Sequence, residues 1–331
     1  MLIKSALEVM HESKVVIKNI SYSYPTDANA TLANVSTKIQ GESVVAIVGS
    51  NGSGKSTFLK SVFGLLKVQQ GTIKICGIDS QNEFRKLIKI CSFVNQRPTI
   101  DFQMTGIEIL SYFSSMYGIP KRIRENRIEE LVETLGLQDL IYRKTSSYSG
   151  GNLQKIHLAI GLVNNPSVLL LDEPTNNLDA MSKHEVWSYL QNRSRKQKKT
   201  SIIISHDLEY VEKYADSLIV MDNGRILYQG TLDDFVASMN RDKKTQAKLD
   251  LTNQSVEELS SRDCKAIKEN NLNPLDISYL RDKKSQRPEA STHLFDALCH
   301  FTNFGDQYRP ISAGNRRGDN RGQKRNRERN R

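Results

Sequence analysis

The sequence has no apolar run long enough to cross a bilayer. Its apolar runs, such as those at 168–171 and in "SIIIS" at 201–205, are strand-sized, against the roughly 20 residues that a membrane helix needs. The opening "MLIKSALEVMHESK" lacks a basic start, a continuous apolar stretch and a small-residue cleavage site, so no signal peptide is expected and the chain reads as cytoplasmic. Cysteine is scarce. The four residues Cys76, Cys91, Cys264 and Cys299 lie far apart, with neither paired metal spacing nor a dense disulfide framework. Reduced, packed thiols in a reducing compartment are the expectation. Nor is the net charge of +10 spread evenly. The tail 316–331 holds eight basic and two acidic residues and so carries six of those ten charges. The body is only mildly basic, and the tail, nearly without apolar residues, is expected to be disordered.

What is present suffices for a packed core: 331 residues, 38% of them hydrophobic. From 15 to 48, β-rich runs alternate with turns, "KVVIKNISYSY", "TLANVSTKIQ" and "ESVVAIVG", the last a buried-strand pattern that runs into a glycine-rich loop. "STFLKSVFGLL" follows with Phe58, Leu59, Val62, Phe63 and Leu66 at helical spacing. "GTIKICG" and "LIKICSFVNQ" read as strands. Beyond Pro98, Thr105 and Glu108 make a capping box ahead of a helix whose Ile107, Leu110, Ser114 and Tyr117 share a face. "RIEELVETLG" repeats the pattern through Ile128, Leu131, Val132 and Leu135, with Gly136 as its cap. Residues from about 100 to 165 thus read as a helical insert in a layered α/β domain. Strands return with "SVLLLDEP", "TSIIISHD" and "DSLIVMDNGRILYQG", around a helix near 181–193. Residues 239–315 offer no recognisable chemistry.

The glycine-rich loop is Gly49, Ser50, Asn51, Gly52, Ser53, Gly54, Lys55, Ser56 and Thr57, which fits G-x-x-x-x-G-K-[ST]. Bare backbone lets successive N–H groups turn inward onto phosphate oxygens, and the following helix adds its positive end. Lys55 is placed to reach the β and γ phosphates, and Ser56 to bind Mg²⁺. Further on, "VLLLDEP" delivers Asp172 and Glu173 to the end of a buried strand. Asp172 can hold Mg²⁺ through water, and Glu173 can take the proton of an attacking water.

The order "GSNGSGKST", "NQ", "YSGGN", "LLLDEPT", "NNLD" and "SHD" resembles the nucleotide-binding subunit of ATP-binding-cassette (ABC) transporters over residues 14–238. The resemblance implies a P-loop NTPase core with an N-terminal antiparallel β subdomain and an inserted helical subdomain. It implies ATP and Mg²⁺ as ligands and ATP hydrolysis as the activity. Gln96 would touch both the metal and a permease, and Asp179 would lie in the loop crossing a dimer interface. His206 would contact the γ phosphate, and Tyr24, or less directly Tyr22, would stack on adenine. Three positions depart from the family pattern L-S-G-G-Q and its downstream loop: Tyr148 for leucine, Asn152 for glutamine, and Asn176 for a common small residue.

The motif "SGGN" poses its own question, because the chain's own P-loop already surrounds one face of a triphosphate. Ser149 can donate a hydroxyl, Gly150 and Gly151 admit close approach, and the helix through Leu153, Ile156 and Ile160 directs its positive end at an anion. In the family this motif closes over the nucleotide of a second subunit, so a homodimer, or a heterodimer with a related ATPase, is implied. The expected function is an ATPase subunit on the inner face of the cell membrane, powering a separate integral membrane permease, with export as the expected direction. The alternative is a soluble ABC-type ATPase acting on nucleic acid or ribosomes through the arginine-rich tail. A single cassette and the lack of long heptads between P-loop and "SGGN" weigh against ribosome-factor and chromosome-type versions of it. The tail itself can contact anionic lipid or RNA.

Overall fold

The computed structural model describes residues 14–25, 30–97 and 100–238. The extension at 239–315, the basic tail, Cys264 and Cys299 lie outside the described residues. Two sheets form the frame. Strands β1 (Val15–Tyr22), β2 (Leu32–Ile39), β4 (Gln70–Ile75) and β5 (Ile78–Asp79) make a small sheet in the order β2-β1-β4-β5, with every pairing antiparallel. The larger sheet contains β3 (Val44–Val48), β6 (Cys91–Val94), β7 (Val168–Asp172), β8 (Thr200–Ile204), β9 (Ser217–Asp222) and β10 (Arg225–Gly230), ordered β10-β9-β3-β8-β7-β6. Only the β9–β10 edge is antiparallel; the pairings among β9, β3, β8, β7 and β6 are parallel.

Parallel strands are normally covered on both faces, and here their sequences say why. β3, β7 and β8 are buried at every residue. Because side chains alternate across a strand, Val44, Ala46, Val48, Leu169 and Leu171 enter one core cluster with the helices at 106–116, 121–134 and 150–162. Val45, Ile47, Val168 and Leu170 enter the other, with the small sheet and helix α1 (Lys55–Phe63) through Phe58, Leu59 and Val62. Tyr22 is buried in that second cluster, which withdraws it as a base-stacking candidate.

Between β6 and β7 run α3 (Gly106–Met116), α4 (Lys121–Thr134) and α5 (Gly150–Leu162). Thr105 caps α3 in the expected box: its hydroxyl accepts from Glu108 N, while the Glu108 carboxylate accepts from Thr105 N at 2.8 Å. Gly136 takes a left-handed φ of 62° just past α4. Helices α6 (Ala180–Gln197) and α7 (Leu208–Tyr214) flank β8 in sequence.

Two further expectations are corrected. "LIKICSFVNQ" is not one strand: a short helix α2 (Phe84–Leu87) precedes β6, and turn bonds Ile88 N to Phe84 O (3.1 Å) and Ile90 N to Leu87 O (2.9 Å) keep the apolar residues Leu87, Ile88 and Ile90 out of the sheet. Cys91 is buried as expected, but Cys76 is an exposed thiol, held outside the core by a left-handed turn residue's position (φ 48°) after β4. Replacing Thr105 by Ala removes the cap and should cost about 1 kcal/mol, read as a shift in the urea midpoint at unchanged slope.

Candidate active site

The parallel strands end on one edge of the sheet, and that edge is where α/β folds bind ligands. In the order of the strands, β3 ends at Gly49, β8 at Ser205 and His206, β7 at Asp172 and Glu173, and β6 at Asn95 and Gln96. The register keeps these ends level: Ile47 and Asp172 both pair with Ile204, and Leu171 pairs with Val94.

The loop after β3 turns back on itself tightly. Gly49 has φ 152°, and a Cβ there would stand 2.0 Å from Met221 O, so no other residue fits. Gly52 (φ 80°) and Gly54 (φ 94°) take the left-handed conformation that glycine permits. Gly54 is the N-cap of α1 and provides no side-chain cap, leaving the first-turn amides to an anion. Lys55 is 6% exposed and its Nζ donates to Gly49 O (2.8 Å) and Ser50 O (2.7 Å). Burial pulls its pKa down, against the opposing charges of Glu173 and Asp172. Ser53 is buried and its hydroxyl has no hydrogen-bond partner among the described residues. Ser50 Oγ bonds Asp222 Oδ1 at 3.1 Å, bracing the loop. Asn51 and Gly52 lie at the loop's exposed tip. A buried lysine, an unpartnered buried hydroxyl and an uncapped helix start fit a polyphosphate.

Beside this loop, Ser56 Oγ donates to Asp172 Oδ1 at 3.1 Å. Asp172 is 2% exposed, and burial raises its pKa, only partly offset by Ser56. Such a carboxylate gains from a cation. Ser56, Asp172 and the amide oxygen of Gln96 offer the hard oxygen donors that suit Mg²⁺ held jointly with phosphate oxygens. No cluster of three or more His, Cys, Asp or Glu suited to a metal exists among the described residues.

Glu173 is the meeting point of the edge. Its Oε1 lies 2.7 Å from His206 Nε2. Its Oε2 accepts from Gln96 Nε2 at 2.8 Å and from Asn176 Nδ2. The bond with His206 is the main reason its pKa is lowered, with burial acting the other way. Its backbone is left-handed (φ 52°), a conformation costly for a non-glycine residue and typical of functional sites. Glu173 N donates to Ile204 O at 3.1 Å, which pins that turn. The structure therefore gathers Lys55, Ser56, Asp172, Glu173, Gln96 and His206, and adds Asn176, whose role the sequence did not disclose. The nearest sequence signal was its departure from a small residue. Tyr24 lies at the rim, its hydroxyl 3.3 Å from Thr57 Oγ1 and its ring edge-on to Tyr22.

Ser149, Gly150 and Gly151 are elsewhere. They line a second cavity of ≈ 450 Å³ together with Asn152, Asp179 and Ser182, and no P-loop residue borders it. Ser149 caps α5 by accepting from Asn152 N (3.3 Å), so its hydroxyl proton stays available. A Cβ on Gly151 would come within 3.1 Å of Asn177 O. Asp179 caps α6, accepting from Ser182 N at 2.9 Å. The Tyr148 departure has a physical reason: the ring is buried and its hydroxyl donates to Leu140 O at 2.6 Å, tying the loop into the helical layer as leucine could not.

Fold and site together define a P-loop ATPase. The model of the family described as "ABC transporter" matches residues 32–176. A phosphonates import ATP-binding protein of Nostoc sp. is 32% identical over 238 residues, spanning 69% of this chain and 97% of that protein. The ABC transporter ATP-binding protein NatA of Bacillus subtilis is 34% identical, over 62% of this chain and 83% of its own. Among solved structures, an ATP-binding subunit of an ABC transporter superposes with a TM-score of 0.64 at 25% identity, covering 69% of this chain and 94% of that one. A cassette in a dimeric post-hydrolysis state bound to ADP and Pi gives 0.61 at 26%, covering 66% and 98%. The chain belongs to the ABC transporter family, as an ATP-binding cassette that hydrolyses ATP.

Lys55→Ala should weaken ATP binding by at least about tenfold, the worth of a charge-assisted contact, with the melting temperature near wild type. Titration calorimetry in Mg²⁺ with ATP checks it.

Proposed function

We propose that this chain is the ATP-hydrolysing subunit of a transporter whose permease is a separate membrane chain. The observation that carries this is the convergence on Glu173, beside the Lys55–Ser56–Asp172 phosphate and metal site. Gly49 to Thr57 hold the triphosphate, with the Lys55 ammonium on the β and γ phosphates and Tyr24 against the base. Ser56, Asp172 and Gln96 hold Mg²⁺. Glu173 takes a proton from water as its oxygen bonds the γ phosphorus. The bond to the β–γ bridging oxygen breaks, and ADP leaves with those electrons. His206 donates to the γ phosphate.

The second cavity supports a partner. Ser149, Gly150 and Gly151 face it without any of this chain's P-loop, so their anion belongs to a second cassette, in a homodimer or a heterodimer. The dimeric form of a structural relative agrees. ATP then closes the dimer and hydrolysis reopens it.

No helix among the described residues is long and apolar enough to cross a membrane. Among the described residues, most of the large apolar side chains left exposed lie on or near the helical layer: Phe102, Tyr112, Met116, Ile123 and Tyr142. Such a patch suits a permease docked at the inner membrane face. Relatives include phosphonate and methionine import proteins, so the expected export direction is not supported. The same relatives favour transport over action on nucleic acid or ribosomes.

Glu173→Gln should keep ATP affinity while turnover falls roughly 10² to 10⁴-fold, the range for a general base. With ATP the variant should elute as a dimer on sizing, alone or with its partner ATPase. Near-normal phosphate release would remove Glu173 from its role.

A further inference from the structure

The hydrogen bonding at Glu173 goes beyond the residues assigned so far. Three side chains hold this carboxylate, and they come from three segments: Gln96 after β6, His206 after β8, and Asn176 from the loop that leads into α6. Gln96 and Asn176 both donate to Oε2, leaving Oε1 to His206. Asn176 is an exposed residue three positions on from the glutamate, in a turn closed by Asn176 N donating to Glu173 O at 3.3 Å. Exposure removes a core-packing reason for an asparagine here. A donor is what the position supplies.

We propose that Asn176 is a positioning residue for the general base, fixing the rotamer of Glu173 through Oε2. This rests on the reading of Glu173 as base. When His206 turns to a γ phosphate, it releases Oε1, and the Asn176 and Gln96 amides are what keep the carboxylate aimed while Oε1 receives the water's proton. The same loop reaches the second cavity. Asn177 O faces Gly151 at the 3.1 Å that a Cβ would meet, Leu178 lies alongside it, and Asp179 lines the cavity. The hold on this chain's base is thereby built on the loop that also lines the second cavity, through Asn177, Leu178 and Asp179.

The test is a substitution series on the full chain with its partner ATPase, measuring ATP turnover and ATP affinity separately. Asn176→Ser keeps a hydroxyl donor, Asn176→Ala has none, and the isosteric Asn176→Asp sets a second carboxylate against Glu173. Turnover should fall in the order Asn, Ser, Ala, Asp, with Ala about tenfold below wild type, the scale of one hydrogen bond to a charged group. KM and ATP affinity should stay within about twofold. Placed in the Glu173→Gln background, Asn176→Ala should cause little further loss, because it acts through the residue already changed. Tolerance of Asp and Ala, loss of ATP affinity in step with turnover, or a full further tenfold loss in the double variant would each overturn the proposal. If Glu173→Gln alone leaves turnover normal, the general-base reading fails instead, so the two failures are distinguishable. Melting curves on each variant exclude unfolding, which at an exposed turn should change little.

Discussion

The parallel pairing of β3, β8, β7 and β6 is the constraint on which the site depends. Four strands that run the same way and end level must deliver their loops to a single edge, whatever those loops contain. Burial of both faces makes that pairing hard to shift, since a slip by one residue would send each strand's side chains into the wrong cluster. Val44, Ala46 and Val48 belong to one cluster and Val45 and Ile47 to the other. The polar groups that this packing excludes from the interior collect at the strand ends, and there they become chemistry.

At that edge, charge is arranged in tension. Lys55 is pulled toward neutrality by burial and toward charge by two carboxylates. Asp172 is raised by burial while Glu173, a residue away, is lowered by its hydrogen bond to His206. Two adjacent carboxylates thus differ in kind. The buried one seeks a cation, and the more accessible one is kept ionised, able to accept a proton. Such divergent environments for neighbouring acids are how a site divides labour between metal binding and base.

Much of this was legible in the sequence, for reasons that can be given. Buried strands such as "VVAIV" and "VLLLD" are continuous apolar runs, and Thr105 with Glu108 spells a cap in local chemistry alone. Lys55 and Glu173 stand in motifs whose backbone demands are themselves local. Asn176 could not be read, because its partner is fixed only when the chain turns left-handed at Glu173. Tyr148 could not be read either, since the carbonyl it reaches, Leu140 O, is set by packing in the helical layer. "LIKICSFVNQ" misled because apolar residues at 87, 88 and 90 suit a strand and a partly buried turn alike. Ser149 and Gly151 stand apart from the chain's own P-loop, in a cavity that no P-loop residue lines.

In the proposed head-to-tail pair, that separation means that each nucleotide would be held by the P-loop of one cassette and the Ser149 face of another. For preparations in which the wild-type chain hydrolyses ATP by itself, mixing two inactive variants tests it most directly. One carries Lys55→Ala and the other a bulky Ser149→Arg. In a head-to-tail pair of the two, both lesions fall in the same site and the second site is whole, so ATP turnover should return on mixing. A mixture as silent as its two components, at concentrations where they demonstrably pair, would contradict the shared site and place each nucleotide within a single chain.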